Sequence, residues 1–302
     1  MSNLNLSDSY KIMRDGAVLT GKNYILEHPT VKVLVLGISG GIDSALTAAL
    51  AREVCDLTNT KLFGCYLDIE GNKPDEAVRA ASICAEYCDM FEATDLTDIF
   101  LKTMAAMDHS LFHKYTTNPG ECTIDDRIRA GNIKARLRMI YLYDKANKYN
   151  GMVLSTDNLT ERNLGFWTLN GDVGDFGFLQ ELWKTEVYGL SELIGTESVM
   201  ACVNAIPTDG LGITDSDIDQ LLPDWTVKMS SDWKPSPKDC RDAYRLVDDI
   251  LIDYVTKQYT YNKNHPVVAR HKASKFKREV PISIKRDFLL WVHNSYDPEM
   301  DK

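Results

Sequence analysis

Short apolar runs alternate along this chain with longer stretches in which apolar residues recur at helical spacing. Val31-Lys32-Val33-Leu34-Val35-Leu36-Gly37-Ile38, Lys61-Leu62-Phe63-Gly64-Cys65-Tyr66-Leu67 and Met152-Val153-Leu154-Ser155 read as buried strands. A shorter strand is predicted near Met90-Phe91-Glu92-Ala93. Around and between them the spacing predicts helices over residues 7–28, 43–56, 75–88, 95–107 and 123–148. Asp75 and Glu76 suit the first turn of the third, where negative charge meets the positive end of the helix dipole. Residues 114–123, with Pro119 and Gly120, predict a loop. The second half is less regular: helices are predicted at 184–194, 215–222 and 239–260, a loop at 225–237, and a basic tail at 267–281. The alternation argues for an α/β fold, a parallel sheet with helices on both faces. No repeat, low-complexity segment or linker divides the chain, so one domain over residues 1–302 is expected.

Ligands of such sheets bind beyond the carboxyl ends of the strands. Two turns should open on that edge: Ser39-Gly40-Gly41-Ile42-Asp43-Ser44 after the first strand, and Ser155-Thr156-Asp157 after Leu154. The first has the makings of a phosphate cradle. Its glycines let backbone approach an anion, and the first N–H groups of the following helix have no partner within the helix. Ser39 and Ser44 add hydroxyl donors. Asp43 would repel a phosphate, so its place there makes sense with a divalent cation between the two. The string lacks both the Gly-Lys-Ser/Thr ending and the Gly-x-Gly-x-x-Gly pattern of commoner phosphate loops.

Composition narrows the picture. With 302 residues, 44% hydrophobic and 26% charged, the chain can bury a sizeable core. A formal charge of −10 argues against nucleic acid as a partner. No apolar run reaches membrane-spanning length and the start lacks the blocks of a signal peptide, so a cytoplasmic protein with no membrane partner is expected. Seven cysteines without a C-x-x-C pair fit reduced thiols. Cys84 and Cys88, and His109 and His113, share a helical spacing of four, but neither pair has the further ligands a metal site needs.

The first turn in its strand–turn–helix setting resembles the signature of the adenine-nucleotide alpha hydrolases, the PP-loop ATP pyrophosphatase group, whose fold is Rossmann-like. Three further segments sharpen the likeness: Gly131-Asn132-Ile133-Lys134-Ala135-Arg136-Leu137-Arg138-Met139, the run from Ser155 to Thr168, and Asn170-Gly171-Asp172-Val173-Gly174-Asp175. With a His271-Lys272 pair near the end, they resemble the NAD synthetases within that group. The resemblance implies ATP-dependent amidation of nicotinic acid adenine dinucleotide (deamido-NAD). ATP adenylates the nicotinate carboxylate, pyrophosphate leaves, and ammonia then displaces AMP. Positioning and charge neutralisation supply most of such catalysis.

The resemblance also implies roles. Gly37, Ile38, Ser39, Gly40, Gly41, Ile42, Asp43 and Ser44 would hold ATP phosphates, with Thr156, Lys184 and Thr208 joining them. Asp43 and Glu161 would hold Mg2+, and Asp43, Lys184 and Thr208 would serve the chemistry. Arg136, Asp175, His271 and Lys272 would contact the dinucleotide. A homodimer is implied, as is free ammonia as nitrogen donor, since the chain has no room for an appended glutaminase. Three departures stand out. Leu169 replaces a lysine common in the family, the strand ending at Leu67 lacks the usual Arg-Leu-Pro, and the stretch after Thr208 is short. Leu169 leaves the mononucleotide, nicotinate ribotide, open as substrate. A noncatalytic nucleotide-binding module is disfavoured because Asp43 and Glu161 are both present.

Overall fold

Three strands that read as near-continuous apolar runs are buried on both faces, as central parallel strands must be. These are β1 (Val33–Gly37), β2 (Lys61–Asp68) and β4 (Gly151–Ser155). The protein is seen here as a computed structural model describing residues 5–70, 73–208, 218, 221, 222, 235–261 and 263–279. β3 (Met90–Asp95) and the two-residue β5 (Phe176–Gly177) form the edges, giving the order β3-β2-β1-β4-β5 with every pair parallel. From β1 the chain runs outward through β2 to β3, then returns to lay β4 on the other side of β1. That reversal opens a crevice between the carboxyl ends of β1 and β4, where α/β sheets place their ligands.

The period of two along each strand sorts side chains into two layers. Leu34, Leu36, Leu62, Met152 and Leu154 pack with α1 (Leu6–Glu27), α2 (Ile42–Thr58), α3 (Pro74–Tyr87) and later helices. Val33, Val35, Phe63, Cys65 and Val153 face the opposite way. They pack against α4 (Thr97–Met107), α5 (His109–Thr117) and α6 (Ile124–Tyr149). The α/β expectation is borne out, with helices on both faces.

Local chemistry explains the boundaries. A capping box between Thr123 and Asp126 opens α6, and Asn150 in the left-handed region closes it. The loop predicted at 114–123 is partly helical. The Asp108 carboxylate accepts the N–H groups of Ser110 and Leu111 and starts α5, and buried Leu111 anchors it. Three short helices escaped prediction because they span too few turns to show a period: α7 (Leu159–Leu164), α9 (Glu197–Val203) and α11 (Pro266–Ala273). α8 (Lys184–Ile194) matches its predicted span. α10 (Pro237–Val255) stops short of residue 260 because the Asp253 carboxylate gathers the N–H groups of Thr260 and Tyr261, turning the chain back. The helix at 215–222 and the loop at 225–237 lie almost wholly outside the described residues. Among the described residues no helix is long and apolar enough to cross a membrane.

Candidate active site

A cavity of about 450 Å³ opens over the carboxyl ends of β1, β2 and β4. Its floor is the turn between β1 and α2. Ile38 still donates to the Cys65 carbonyl at 2.8 Å, so the strand runs one residue further before the chain bends. Gly40 then takes φ +81°, and a Cβ built on it would lie 2.3 Å from the Glu76 carbonyl oxygen, so only glycine fits. Gly41 is the N-cap of α2 and brings no side chain to its free N–H groups, which stay available for a ligand. The Gly41 N–H donates to Ser39 Oγ at 3.2 Å, and the Ser44 hydroxyl donates to the Gly41 carbonyl at 3.0 Å. The turn is thus held by its own hydroxyls.

Beside it three charges converge. Lys184, the first residue of α8, is 2% exposed, and its Nζ lies 2.5 Å from Asp43 Oδ2 and 3.3 Å from Glu161 Oε1. Burial opposes the ammonium charge, but the two carboxylates outweigh it and hold the Lys184 pKa above the ordinary lysine value. Asn158 links the acids: its Nδ2 donates to Asp43 Oδ1 at 2.9 Å, and its Oδ1 accepts the Glu161 N–H at 3.0 Å. Glu161 Oε2 in turn accepts the Asn158 N–H at 3.3 Å, completing a capping box on α7. Behind them, fully buried Asp248 of α10 accepts from the Thr160 hydroxyl at 2.5 Å and from the Thr185 N–H at 2.9 Å. Burial pushes the Asp248 carboxyl up to about 6. Lys184 N–H donates to Thr160 Oγ1 at 2.9 Å, so one carboxylate from α10 ties α7 to α8.

The opposite wall is polar as well. The Ser155 hydroxyl donates to Asp157 Oδ1 at 2.7 Å. Asp172 accepts the Thr168 N–H, and burial raises its pKa although that bond and the nearby Arg138 charge oppose the rise. Arg138 reaches in from α6 and donates to the Leu67 carbonyl at 3.3 Å. At the rim, Lys277 Nζ donates to the carbonyls of Gly165 and Trp167, and Arg270 stacks over Phe166 with 5.0 Å to the ring centre. Burial, with the charge of Arg270, lowers the Lys277 pKa.

Of the residues singled out in sequence, Gly37, Ile38, Ser39, Gly41, Ile42, Asp43, Ser44, Thr156, Glu161, Lys184 and Thr208 line the cavity. Gly40 sits behind them against α3. Four others lie outside the cavity. Arg136 Nε donates to the Leu169 carbonyl at 3.2 Å on an exposed face. Asp175 accepts the Val153 N–H at 2.9 Å and the Tyr143 hydroxyl at 2.8 Å, bracing β4. His271 Nδ1 is bonded to the Asn163 carbonyl at 3.0 Å, and burial lowers its pKa. Lys272 Nζ sits 5.3 Å from the Tyr254 ring centre. Sequence reasoning left out Arg138, Asp172, Asp157, Arg79 and Lys277, all cavity-lining. Arg138 was legible. On a helix, positions 136 and 138 point in nearly opposite directions, and buried Ala135 and Leu142 share the face of 138.

The profile of the NAD synthase family matches residues 17–281, most of the chain. The chain belongs to the NAD synthase family. Among relatives, the NH(3)-dependent NAD(+) synthetase of Thermoplasma acidophilum is 31% identical over 287 residues, 89% of this chain and 93% of the relative. That of Methanosarcina mazei is 36% identical over 202 residues, 64% of this chain and 73% of the relative. Two solved structures share the fold. An NMN synthetase from Francisella tularensis superposes with TM-score 0.67 at 22% identity, covering 91% of this chain and 98% of that one. An NH3-dependent NAD synthetase from Campylobacter jejuni gives 0.63 at 19% identity, covering 91% and 99%. The family membership expected from the motifs is borne out.

Proposed function

We propose that this chain is an ammonia-dependent NAD synthetase, a ligase that forms a C–N bond, acting as a cytoplasmic homodimer with residues 1–302 as one domain. The observation that carries the reading is the convergence of Asp43, Glu161 and Lys184 beside a glycine turn, at the head of a cavity large enough for a nucleotide, in a member of this family. In the first step a carboxylate oxygen of deamido-NAD attacks the α-phosphorus of ATP. The bond to the β-phosphate oxygen breaks, and pyrophosphate leaves with the electron pair. In the second, the nitrogen of ammonia attacks the acyl carbon, AMP leaves, and the nitrogen loses a proton.

The turn from Gly37 to Ser44 binds the triphosphate through N–H groups and hydroxyls. Thr156 and Thr208 add hydroxyls at the cavity wall, and Lys184 sets a buried cation beside the phosphates. Asp43 and Glu161 fit a magnesium ion: both already converge on one cation, and this metal needs few protein carboxylates because it keeps waters and phosphate oxygens. When bound it would neutralise phosphate charge. Arg136, Asp175, His271 and Lys272 lie outside this protomer's cavity. We assign them to the dinucleotide only in the dimer, on the family resemblance.

A second reading rests on Leu169. Without the lysine that the resemblance leads one to expect there, a dinucleotide loses a cation, and nicotinate mononucleotide becomes a competing substrate. Incubation with ATP, magnesium and ammonium plus either acid, followed by chromatography, separates the two. The expected result is NAD with equimolar AMP and pyrophosphate. The mononucleotide amide would favour the second reading, and no AMP with either acid would overturn both. Glutamine replacing ammonium should support little turnover. A solution mass of one protomer would remove the dimer.

A further inference from the structure

Lys184 is held between two carboxylates, so that trio carries one negative charge overall before any ligand arrives. A departing pyrophosphate carries more charge than that trio and one bound magnesium ion would offset, so a further cation beside it is of use. Arg79 of α3 lines the same cavity, with a side chain only 13% exposed. Its Nε donates to the Gly40 carbonyl at 2.8 Å, so the guanidinium is fixed to the phosphate turn itself. Its Nη1 donates to Asp75 Oδ2 at 2.6 Å, and that aspartate is 66% exposed. Among the described residues, Nη2 has no hydrogen-bond partner. The planar fork is therefore anchored at two nitrogens with donors to spare.

The surroundings support a ligand there. The first turns of α3 touch both segments expected to bracket the phosphates. Gly40 packs on the Glu76 carbonyl, and Glu76 Oε1 accepts from the Thr208 hydroxyl at 3.3 Å. Of the other cavity-lining cations besides Lys184, Arg138 lies by the Leu67 carbonyl and partly buried Asp172, Arg270 donates to the Leu164 carbonyl and stacks over Phe166, and Lys277 is spent on the Gly165 and Trp167 carbonyls. We propose that Arg79 binds the β- and γ-phosphates of ATP and holds them as the leaving pyrophosphate. This deepens the function proposed above and rests on it. As the bond from the α-phosphorus to the β-phosphate oxygen breaks, the electron pair moves onto the pyrophosphate. A guanidinium already oriented by Gly40 stabilises that charge without rearranging.

The test is direct binding of inorganic pyrophosphate and of AMP to the full chain by calorimetry, in wild type, Arg79→Gln and Asp75→Asn. An amide at 79 can still donate to the Gly40 carbonyl, so Arg79→Gln removes charge while keeping that contact. Pyrophosphate binding should weaken roughly 10- to 100-fold, the range for a charge-assisted bond, with AMP binding and thermal unfolding little changed. Asp75→Asn removes the competing negative charge beside Nη1 while leaving an acceptor there, and should tighten pyrophosphate by about twofold or more. That second variant decides the matter if Arg79→Gln does not fold. Pyrophosphate affinity unchanged in both variants overturns the assignment. So does equal weakening of pyrophosphate and AMP, which marks a merely structural arginine. If wild type binds neither ligand and forms no AMP, the broader function has failed instead.

Discussion

Replacing Lys184 with methionine keeps most of the side-chain volume under Tyr244 but removes the cation between Asp43 and Glu161. At an effective dielectric of about 20, each contact near 3 Å is worth roughly 5 kcal/mol before desolvation is counted. Desolvation of the ammonium offsets much of this, and breaking a buried pair costs about 3–5 kcal/mol in practice. The two carboxylates are 18% and 17% exposed and keep some water, so the lower end, about 3 kcal/mol, applies. For a chain of this size that is a fall in Tm of roughly 5 °C. The variant leaves two acids sharing a site with no cation, so magnesium should recover more of its Tm than it adds to wild type. Differential scanning calorimetry with chelator and with millimolar magnesium reads both effects. A variant within about 1 °C of wild type, or one indifferent to magnesium, would refute the reasoning.

Three further outcomes are expected. Asp43→Asn should cut AMP formation about 100-fold or more while leaving circular dichroism intact, and wild-type AMP release would sink its assigned role. Gly40→Ala forces a Cβ toward the Glu76 carbonyl at positive φ, and should cost roughly 1–3 kcal/mol in denaturant unfolding and weaken ATP binding. Asp248, held up to about 6, keeps a proton in the folded state at pH values where the unfolded chain has lost it, so its contribution to stability grows as pH falls. The stability difference between wild type and Asp248→Asn should therefore move toward wild type by roughly 2 kcal/mol between about pH 7 and pH 4, and a flat difference would contradict the burial argument.

What was legible in sequence was whatever repeats or carries a local rule. β1, β2 and β4 announced themselves because burial on both faces demands unbroken apolar runs. The phosphate turn was legible because Gly40 has a backbone shape few residues tolerate. α7 and α9 were not, since six or seven residues show no period. Arg79 and Asp248 reach the site from helices far away in sequence, so only the packing of α3 and α10 against the turn and α8 reveals them. Asp175 shows the converse. It sits in a motif that suggests ligand contact, and the structure adds a second role that the motif does not show: its carboxylate accepts the Val153 N–H and the Tyr143 hydroxyl, bracing β4.

The short helix α7 has one more consequence. Glu161 uses one oxygen to close its own capping box and the other to face Lys184. Its rotamer is therefore selected by the local fold, before any nucleotide arrives. The freedom a glutamate side chain loses on being fixed, up to about 2 kcal/mol, is lost during folding and not during each turnover. A flexible acid at the same place would bind the same cation more weakly for that reason alone.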